Sequence, residues 1–190
     1  MRVIGGTFKG IKLKSLRGLA TRPTSQRLKK AFFDTISPWV AGSVFLDCFA
    51  GSGGVGIEAL SRGAKEVVFL ESETKAIKII HQNIELLKAK EACRIIKKDY
   101  KAGLRNLNRQ NTRFDILFFD PPYQFDHSSL IRVISSLELF AEEALVAIEH
   151  YHKNQLSIPE ERFVYLKVLT AGDSCISLWK CLSRRIQNPD

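Results

Sequence analysis

The sequence has few cysteines, and they form neither a metal-binding nor a disulfide pattern. The four cysteines are scattered and no two form a C-x-x-C pair, which argues against a zinc ribbon and against a secreted disulfide framework. Long hydrophobic runs are missing as well. The apolar runs are far shorter than the roughly 20 residues of a membrane-spanning helix, and the N-terminus lacks the apolar stretch of a signal peptide. We therefore expect a soluble, cytoplasmic protein with no membrane contact.

Acidic side chains are missing from residues 1–30, which carry nine basic ones. The whole chain has 29 Lys and Arg residues against 20 Asp and Glu residues, a formal net charge of +9, so the remainder is balanced. An unmixed basic stretch is either a solvated face or a surface for a nucleic-acid backbone. We favour the second interpretation. The basic residues are Arg2, Lys9, Lys12, Lys14, Arg17, Arg22, Arg27, Lys29 and Lys30.

The chain is predicted to form one compact body with a small N-terminal extension. A length of 190 residues with 45% hydrophobic content is enough for a core that needs no metal or disulfide. We divide the chain into a basic extension, residues 1–40, which packs on the core, and a main domain, residues 41–190. Within the extension, the alternating pattern of residues 2–14 predicts short strands joined by glycine turns.

The extension also contains a predicted helix. Residues 25–36 have apolar side chains at helical spacing, and Pro38 is expected to end the helix. Lys29 and Lys30 lie off this apolar stripe, so we expect them to face outward. The residues that define the stripe are Leu28, Phe32 and Ile36.

Beyond residue 43, apolar stretches of strand length alternate with amphipathic helical stretches. This order predicts an α/β fold: a seven-stranded, mostly parallel, Rossmann-like sheet with helices on both faces. Continuous apolar runs such as residues 116–119 need cover on both sides, which favours the parallel sheet. We also expect Trp39 and Trp179 in the core. Strands are predicted at 44–48, 67–71, 94–97, 115–120, 144–149, 163–169 and 174–182, the last two as an antiparallel pair, and helices at 55–62, 74–87, 101–108 and 128–138.

A glycine-rich motif follows the first of these strands. Gly51, Gly53 and Gly56 form the pattern G-x-G-x-x-G between a strand and a helix, which is typical of nucleotide-binding sites in α/β proteins. The pattern alone does not separate a dinucleotide from S-adenosylmethionine. Asp47, just before the loop, would repel a pyrophosphate on the following helix terminus. S-adenosylmethionine carries a net positive charge, so Asp47 favours that cofactor.

Two further carboxylates lie at predicted strand ends. Glu71, twenty residues after Gly51, is placed to accept hydrogen bonds from ribose hydroxyls, and it suits either cofactor. Asp99 follows the third strand of the main domain, where it could accept a hydrogen bond from an adenine amine. A helix cap before Tyr100 is the alternative role for Asp99.

The fourth strand of the main domain ends in a motif that suits amine chemistry. Two adjacent prolines, Pro121 and Pro122, fix an extended backbone and remove two N–H groups. The Asp120 carboxylate and the Pro121 carbonyl are left as two acceptors, which match the two hydrogens of one exocyclic amine. Tyr123 and Phe125 would stack on a base flipped out of its strand.

These motifs together resemble the class I S-adenosylmethionine-dependent methyltransferases that act on exocyclic amines. The N-terminal residues M-R-V-I-G-G and T-R-P-T-S-Q-R-L-K, followed by L-D-C-F-A-G-S-G and E-A-L-S-R-G-A, resemble the bacterial RsmD family. That family methylates the N2 amine of a guanine in 16S ribosomal RNA. The match spans nearly the whole chain in the same order, and Lys30 departs from it where the family often has glutamate.

The resemblance implies a role for each matching residue. Asp47, Phe49, Gly51 and Gly53 would line the methionine end of the cofactor. Glu71 would bind its ribose and Asp99 its adenine. Residues 120–123 (Asp120, Pro121, Pro122 and Tyr123) would hold the target amine. Arg22, Thr24 and Arg27 would shape the mouth of the site or contact RNA. Apart from the resemblance, we also predict that Lys29 of the basic helix and Phe125 contact the nucleic acid.

The expected function is methyl transfer from S-adenosylmethionine to guanine N2 in 16S rRNA, free or within an assembling small ribosomal subunit, by a monomer. Three alternatives remain: a DNA adenine-N6 methyltransferase, a NAD-binding oxidoreductase, which Asp47 disfavours, and a catalytically silent RNA-binding protein. No metal site is expected, because the histidines have no usable ligand spacing. They are His81, His127, His150 and His152.

Overall fold

The computed structural model describes residues 1–15, 26–122 and 124–182. Its centre is a seven-stranded sheet in the order β3-β2-β1-β4-β5-β7-β6. The strands β1 to β5 run parallel to one another, and β7 pairs antiparallel with β5 and β6. The predicted α/β sheet is confirmed. The strands are β1 (Val44–Cys48), β2 (Glu66–Glu71), β3 (Cys93–Lys97), β4 (Phe114–Phe119), β5 (Phe140–Tyr151), β6 (Phe163–Ala171) and β7 (Ser174–Cys181).

Helices cover both faces of the sheet, as predicted. Neighbouring residues of β1 show this: the fully buried Phe45 belongs to one apolar cluster and the fully buried Leu46 to the other. The first cluster includes side chains of α1, α2 and α3, and the second those of α4 and α5. Among the described residues, no helix is both long and apolar enough to cross a membrane. The helices are α1 (Gln26–Val40), α2 (Gly54–Ser61), α3 (Thr74–Leu86), α4 (Tyr100–Arg109) and α5 (His127–Ser135).

The predicted end of the first helix at Pro38 is wrong. Helix α1 continues through Pro38 to Val40. A proline in a helix removes a backbone hydrogen bond, but Ile36 and Val40 are each only 1% exposed, and their burial favours completing the last turn. In that turn Val40 faces the core and the neighbouring Trp39 lies at its edge, 43% exposed, so the prediction of a buried Trp39 is also wrong. Trp179 is in the core, as expected.

The N-terminal segment, defined here as residues 1–15, packs on the core without forming the expected strands. One isolated antiparallel bridge joins Arg2 to Lys12. The backbone N–H of Leu13 also donates to the Met1 carbonyl at 3.0 Å. Val3 and Leu13 are each 3% exposed, and Glu58 and Asn83 of the main domain accept hydrogen bonds from the backbone of the segment, so burial and these side chains help to hold it on the core.

Asn83 of α3 links this segment to the loop after β1. Its side chain is fully buried. The Oδ1 atom accepts from the backbone N–H of Lys14 at 2.8 Å, and Nδ2 donates to the carbonyls of Lys14 at 3.1 Å and Ser52 at 3.0 Å. A buried amide with all these partners fixes both backbone stretches. The N-terminal segment and the glycine-rich loop therefore share one anchor.

Candidate active site

The candidate active site lies at the edge of the sheet where the parallel strands end. The loop after β1, residues 49–53, is called the glycine loop below. Its first residue, Phe49, has a φ of 63°, and the backbone N–H groups of Phe49 and Ala50 donate to the Leu70 carbonyl of β2 at 3.0 and 3.3 Å. These bonds attach the start of the loop to the neighbouring strand. The loop therefore projects beyond the ends of β1 and β2.

The glycines of the motif have different surroundings. A Cβ added at Gly51, where φ is 55°, would meet no atom within 4 Å, so this residue faces open space. A Cβ at Gly53 would lie 3.2 Å from the Phe69 ring, and one at Gly56 only 2.4 Å from it. Gly56 is therefore needed for close packing of α2 on the sheet, and Gly51 is the position at which a ligand can approach the backbone.

Asp47 lies beneath the glycine loop. It is 2% exposed, and its Oδ2 accepts from the backbone N–H of Gly56 at 2.8 Å. Burial raises the pKa of the Asp47 carboxyl to about 7, and the hydrogen bond from Gly56 opposes this shift. The described contact fastens the start of α2 to the end of β1, so the direct contact with a cofactor predicted for Asp47 stays a prediction.

Glu71 ends β2 beside the glycine loop. Its Oε2 accepts from the Gly51 N–H at 2.8 Å, and its Oε1 accepts from the N–H groups of Ser72 and Glu73 at 2.7 and 2.9 Å. Three N–H donors orient the carboxylate and leave lone-pair capacity for a further hydroxyl. The predicted juxtaposition of Glu71 and Gly51 is present in the structure.

Asp99 follows β3 and caps α4. Its Oδ1 accepts from the backbone N–H of Ala102 at 3.1 Å, which is the helix-capping role that the sequence left open as an alternative. The residue is exposed. A contact with an adenine amine remains a prediction for the other carboxylate oxygen.

The acceptor corner, defined here as residues 120–122, lies beside the glycine loop. The backbone N–H of Asp120 donates to the Cys48 carbonyl at 3.3 Å, so β4 ends next to the residue that precedes Phe49. Pro121 is buried and Pro122 is exposed. Tyr123 lies outside the described residues. The two motifs that the sequence singled out are therefore neighbours.

Three aromatic rings join the loops of this edge. The centroids of Phe49, Tyr100 and Phe125 are 5.2 Å apart in each of the three pairs, which are distances typical of favourable aromatic contacts. Phe125 was predicted to stack on a base, and here it packs against the glycine loop. Tyr100 was not predicted to belong to the site. Its signal in the sequence is an aromatic residue directly after the strand-end Asp99.

A small cavity of about 30 Å³ lies on the other side of the acceptor corner. It has room for a water molecule or an amino group, and a whole base would need its mouth as well. Sequence reasoning missed the residues of β5, β7 and α5 that line it. The lining residues are Asp120, Pro121, Pro122, His127, Glu149, His150, Tyr151 and Ser174.

Burial favours the neutral form of the two histidines of this cavity. Burial lowers the pKa of His127, and burial also lowers the pKa of His150. The His150 ring is fixed between the Tyr151 carbonyl, 2.9 Å from Nδ1, and the Ser177 hydroxyl, 2.8 Å from Nε2. The direction of these pKa shifts disfavours a positive imidazole beside the carboxylates of Asp120 and Glu149.

The structure contradicts the prediction that Lys29 contacts nucleic acid. Lys29 is 2% exposed, and its Nζ lies 3.3 Å from Glu58 Oε2 and 3.4 Å from the Gly54 carbonyl oxygen. Its position on the helix explains the error, because Phe33, one turn later, is fully buried and residues four apart share a face. The buried face of α1 is wider than the stripe used to predict it.

The other RNA contacts stay predictions. Arg27 is exposed, and so is Lys30, which pairs with Asp34 within α1. Arg22 and Thr24 lie outside the described residues. The described part of the basic extension nevertheless carries six exposed cations. They are Arg2, Lys9, Lys12, Lys14, Arg27 and Lys30.

Several solved structures with this fold are described as putative methyltransferases. One described as "Putative methyltransferase yhhF from Escherichia coli" has a TM-score of 0.86 and 29% sequence identity, over 97% of this chain and 99% of that chain. A structure described as "Crystal structure of SMU.776, a putative methyltransferase complexed with SAH" has a TM-score of 0.63 at 14% identity, over 78% of this chain and 49% of that chain. This likeness shows the shared fold alone. The class is therefore the Rossmann-like methyltransferase fold.

Curated relatives and a family profile narrow the assignment. A Bacillus subtilis protein named "Putative rRNA methyltransferase YlbH" is 33% identical over 181 residues, which covers 95% of this chain and 98% of the relative. "Ribosomal RNA small subunit methyltransferase D" of Haemophilus influenzae is 34% identical over 174 residues, which covers 90% of this chain and 89% of the relative. The family described as "Conserved hypothetical protein 95" matches residues 1–180. This chain belongs to that family, the RsmD family that its motifs resemble.

Proposed function

We propose that this chain transfers a methyl group from S-adenosylmethionine to the exocyclic N2 amine of a guanine in 16S rRNA. The observation that carries the proposal is the 3.3 Å hydrogen bond from the Asp120 N–H to the Cys48 carbonyl, which puts the acceptor corner next to the glycine loop. The names of the relatives support rRNA as the substrate. Family membership and the shared fold support methyl transfer as the reaction.

The residues around the glycine loop fit S-adenosylmethionine. Gly51 faces open space, so the backbone leaves room for a ligand there. Glu71, oriented by three N–H groups, offers acceptor capacity for ribose hydroxyls and a negative charge that suits a net positive cofactor. We assign Asp47, Phe49, Gly51 and Gly53 to the methionine end, Glu71 to the ribose and Asp99 to the adenine.

The acceptor corner would activate the target amine by geometry. When bound, S-adenosylmethionine supplies a methyl group already activated by its sulfonium. The Asp120 carboxylate and the Pro121 carbonyl would accept hydrogen bonds from the two N–H groups of the guanine amine, which directs the nitrogen lone pair toward the glycine loop. Formation of the N–CH3 bond would break the S–CH3 bond and leave S-adenosylhomocysteine, and the Asp120 carboxylate would take the proton that the amine loses. Because Pro121 and Pro122 restrict the backbone, these acceptors need little reorganisation. Tyr123 and Phe125 would support the flipped base by stacking.

The basic extension, residues 1–40, would bind the RNA backbone, and residues 41–190 would form the catalytic domain. Exposed cations on both the N-terminal segment and α1 support this division. Phosphate contacts hold an RNA in register without reading its sequence. We assign Arg22, Thr24 and Arg27 to these contacts. The protein would act as a cytoplasmic monomer on 16S rRNA, free or within the assembling small subunit.

Methyl transfer from tritiated S-adenosylmethionine tests this proposal. The purified protein is incubated separately with naked 16S rRNA, partly assembled small subunits and duplex DNA, and labelled nucleosides are separated by chromatography. We expect label as N2-methylguanosine in one of the two ribosomal substrates. Label in N6-methyladenine of DNA, or in no substrate, would contradict the proposal. Mass-spectrometric mapping of rRNA from cells that lack the gene then locates the modified guanine.

A further inference from the structure

Glu149 lies next to Asp120 on the neighbouring strand. Strands β4 and β5 are parallel, and Phe119 pairs with Ile148, so the two residues that follow, Asp120 and Glu149, are side by side. Adjacent strands are about 4.8 Å apart, and residues in register point to the same side of the sheet. Both residues line the small cavity at the acceptor corner. A second carboxylate therefore adjoins the one assigned to the target amine.

The strand order puts Glu149 on the side of Asp120 away from the cofactor loop. The glycine loop follows β1, on one side of β4, and Glu149 belongs to β5, on the other side. A base whose amine occupies the acceptor corner would extend from there toward β5. Its ring atoms next to the amine would then approach Glu149.

The cavity presents acceptors at this position. Glu149 is 7% exposed, and an ionised carboxylate accepts hydrogen bonds but donates none. Besides the two carboxylates, the lining holds the Tyr151 phenol and two imidazoles, His127 and His150, whose pKa values are lowered by burial. The local charge therefore favours a ligand edge that carries N–H donors.

Only one of the three amine-bearing bases has such an edge. Guanine has two ring nitrogens next to the amine: N1, on the Watson–Crick edge, carries a hydrogen, and N3, on the opposite side, carries a lone pair. In adenine and cytosine the ring nitrogen next to the amine carries a lone pair, which an ionised carboxylate repels. Protein groups that distinguish bases in this way act on the Watson–Crick edge of a flipped nucleotide.

We infer that Glu149 is a specificity-determining residue that accepts a hydrogen bond from N1–H of the target guanine. This inference rests on the proposed function, because it needs the guanine amine at Asp120 and Pro121. The three hydrogens of the guanine edge then have three protein acceptors: the Asp120 carboxylate, the Pro121 carbonyl and the Glu149 carboxylate. Adenine and cytosine would leave Glu149 facing a lone pair in a buried site.

A base analogue separates this role from catalysis. 2-Aminopurine keeps the 2-amino group but has an unprotonated N1. It is placed by ligation at the mapped guanine of 16S rRNA, and the RNA is used free or assembled, as the first experiment requires. We expect the wild-type kcat/KM to be at least about tenfold lower for 2-aminopurine than for guanine. Equal use of the two bases by the wild-type protein would overturn the inference without any variant.

The variant Glu149→Gln is tested with the same two bases, because its amide can donate to the unprotonated N1 of 2-aminopurine. We expect the preference for guanine over 2-aminopurine to fall at least about tenfold in this variant. Glu149→Asp keeps an acceptor and should keep the preference while lowering kcat/KM. A purely structural role would lower both rates equally and leave their ratio unchanged, which would contradict the inference.

The matched control is Glu143→Gln on the same strand. The Glu143 side chain is 64% exposed and pairs with Lys180. The base preference of the Glu143→Gln variant should therefore equal that of the wild-type protein. Calorimetric binding of S-adenosylmethionine should be the same for both Gln variants. If the wild-type protein methylates the guanine substrate and the ratio is unchanged in Glu149→Gln, the inference fails and the proposed function stands. If it does not methylate that substrate, the proposed function itself fails.

Discussion

Lys29 of α1 and Glu58 of α2 form an ion pair inside the protein. Their Nζ and Oε2 atoms are 3.3 Å apart, and the side chains are 3% and 0% exposed. Glu58 also accepts from the backbone N–H groups of Ile4 and Gly5, each at 2.8 Å, and from Arg62 Nε at 2.9 Å. One buried carboxylate thus joins the N-terminal segment, α1 and α2. The extension is therefore part of the structural core as well as a charged surface.

Lys29→Met should destabilise the protein by about 3 kcal/mol or more, because the loss of one partner leaves a buried charge less compensated. Urea unfolding at neutral pH measures this change. The control is Lys30→Met, the next residue, whose side chain is 62% exposed and pairs with Asp34. That variant should change stability by less than about 1 kcal/mol. Equal stability of the two variants would show that the pair with Glu58 contributes nothing.

Arg27→Ala should reduce the salt dependence of RNA binding. Arg27 is exposed on α1, and the loss of one phosphate contact lowers the slope of log K against log salt by about one. Filter binding of 16S rRNA between 50 and 200 mM salt, roughly the range over which such slopes are clear, measures it. Arg109→Ala, at the end of α4 on the opposite face of the sheet, is the control and should leave the slope unchanged. An unchanged slope in Arg27→Ala would show that Arg27 of α1 does not contact an RNA phosphate.

The strands and their order along the chain were predictable because each is an apolar run of strand length. Residues 116–119 are all fully buried, as expected of a strand covered on both faces. The end of α1 was not predictable from Pro38 alone, because the outcome depends on what Val40 contacts in the folded protein. The same limit applies to Lys29, whose partner Glu58 comes from another helix.

The parts of the candidate site that consist of one continuous motif were predictable from the sequence. The contacts that depend on the order of the strands in the sheet were not. The glycine loop and the acceptor corner are each local in sequence, and the structure brings them together. Glu149 is the last residue of a predicted strand, but its position beside Asp120 follows from the pairing of β4 with β5, which periodicity does not specify. The packing of Phe125 against Phe49 and Tyr100 likewise depends on three separate loops.

Asp47→Asn should change how stability depends on pH. Burial raises the pKa of Asp47 to about 7, whereas an exposed Asp has a pKa of about 3.9. Between these values the folded state keeps a proton that the unfolded state releases, so the carboxyl lowers the free energy of unfolding as pH rises from about 4 to 7. Asparagine has no such dependence.

The stability of Asp47→Asn relative to the wild-type protein should therefore rise across this range, by about 4 kcal/mol at most, and level off above it. Urea unfolding at pH values from about 5 to 8 measures the difference. A difference that is independent of pH would show that Asp47 is ionised in the folded protein throughout, and the Gly56 N–H would then suffice to hold its charge.

Asp120→Ala should abolish most turnover and leave cofactor binding nearly intact. The variant removes one of the two proposed acceptors of the guanine amine, and the loss of one preorganised hydrogen-bond partner lowers kcat by roughly a hundredfold to a thousandfold. The glycine loop and Glu71, which would hold the cofactor, keep their own hydrogen bonds, so the Kd for S-adenosylmethionine should change by only a few-fold. Single-turnover methyl transfer and calorimetry measure the two quantities separately. Asp126→Ala, which removes the exposed cap of α5, is the control and should keep most of the turnover. Loss of cofactor binding in Asp120→Ala would instead assign this carboxylate to the cofactor, and the amine would need another acceptor.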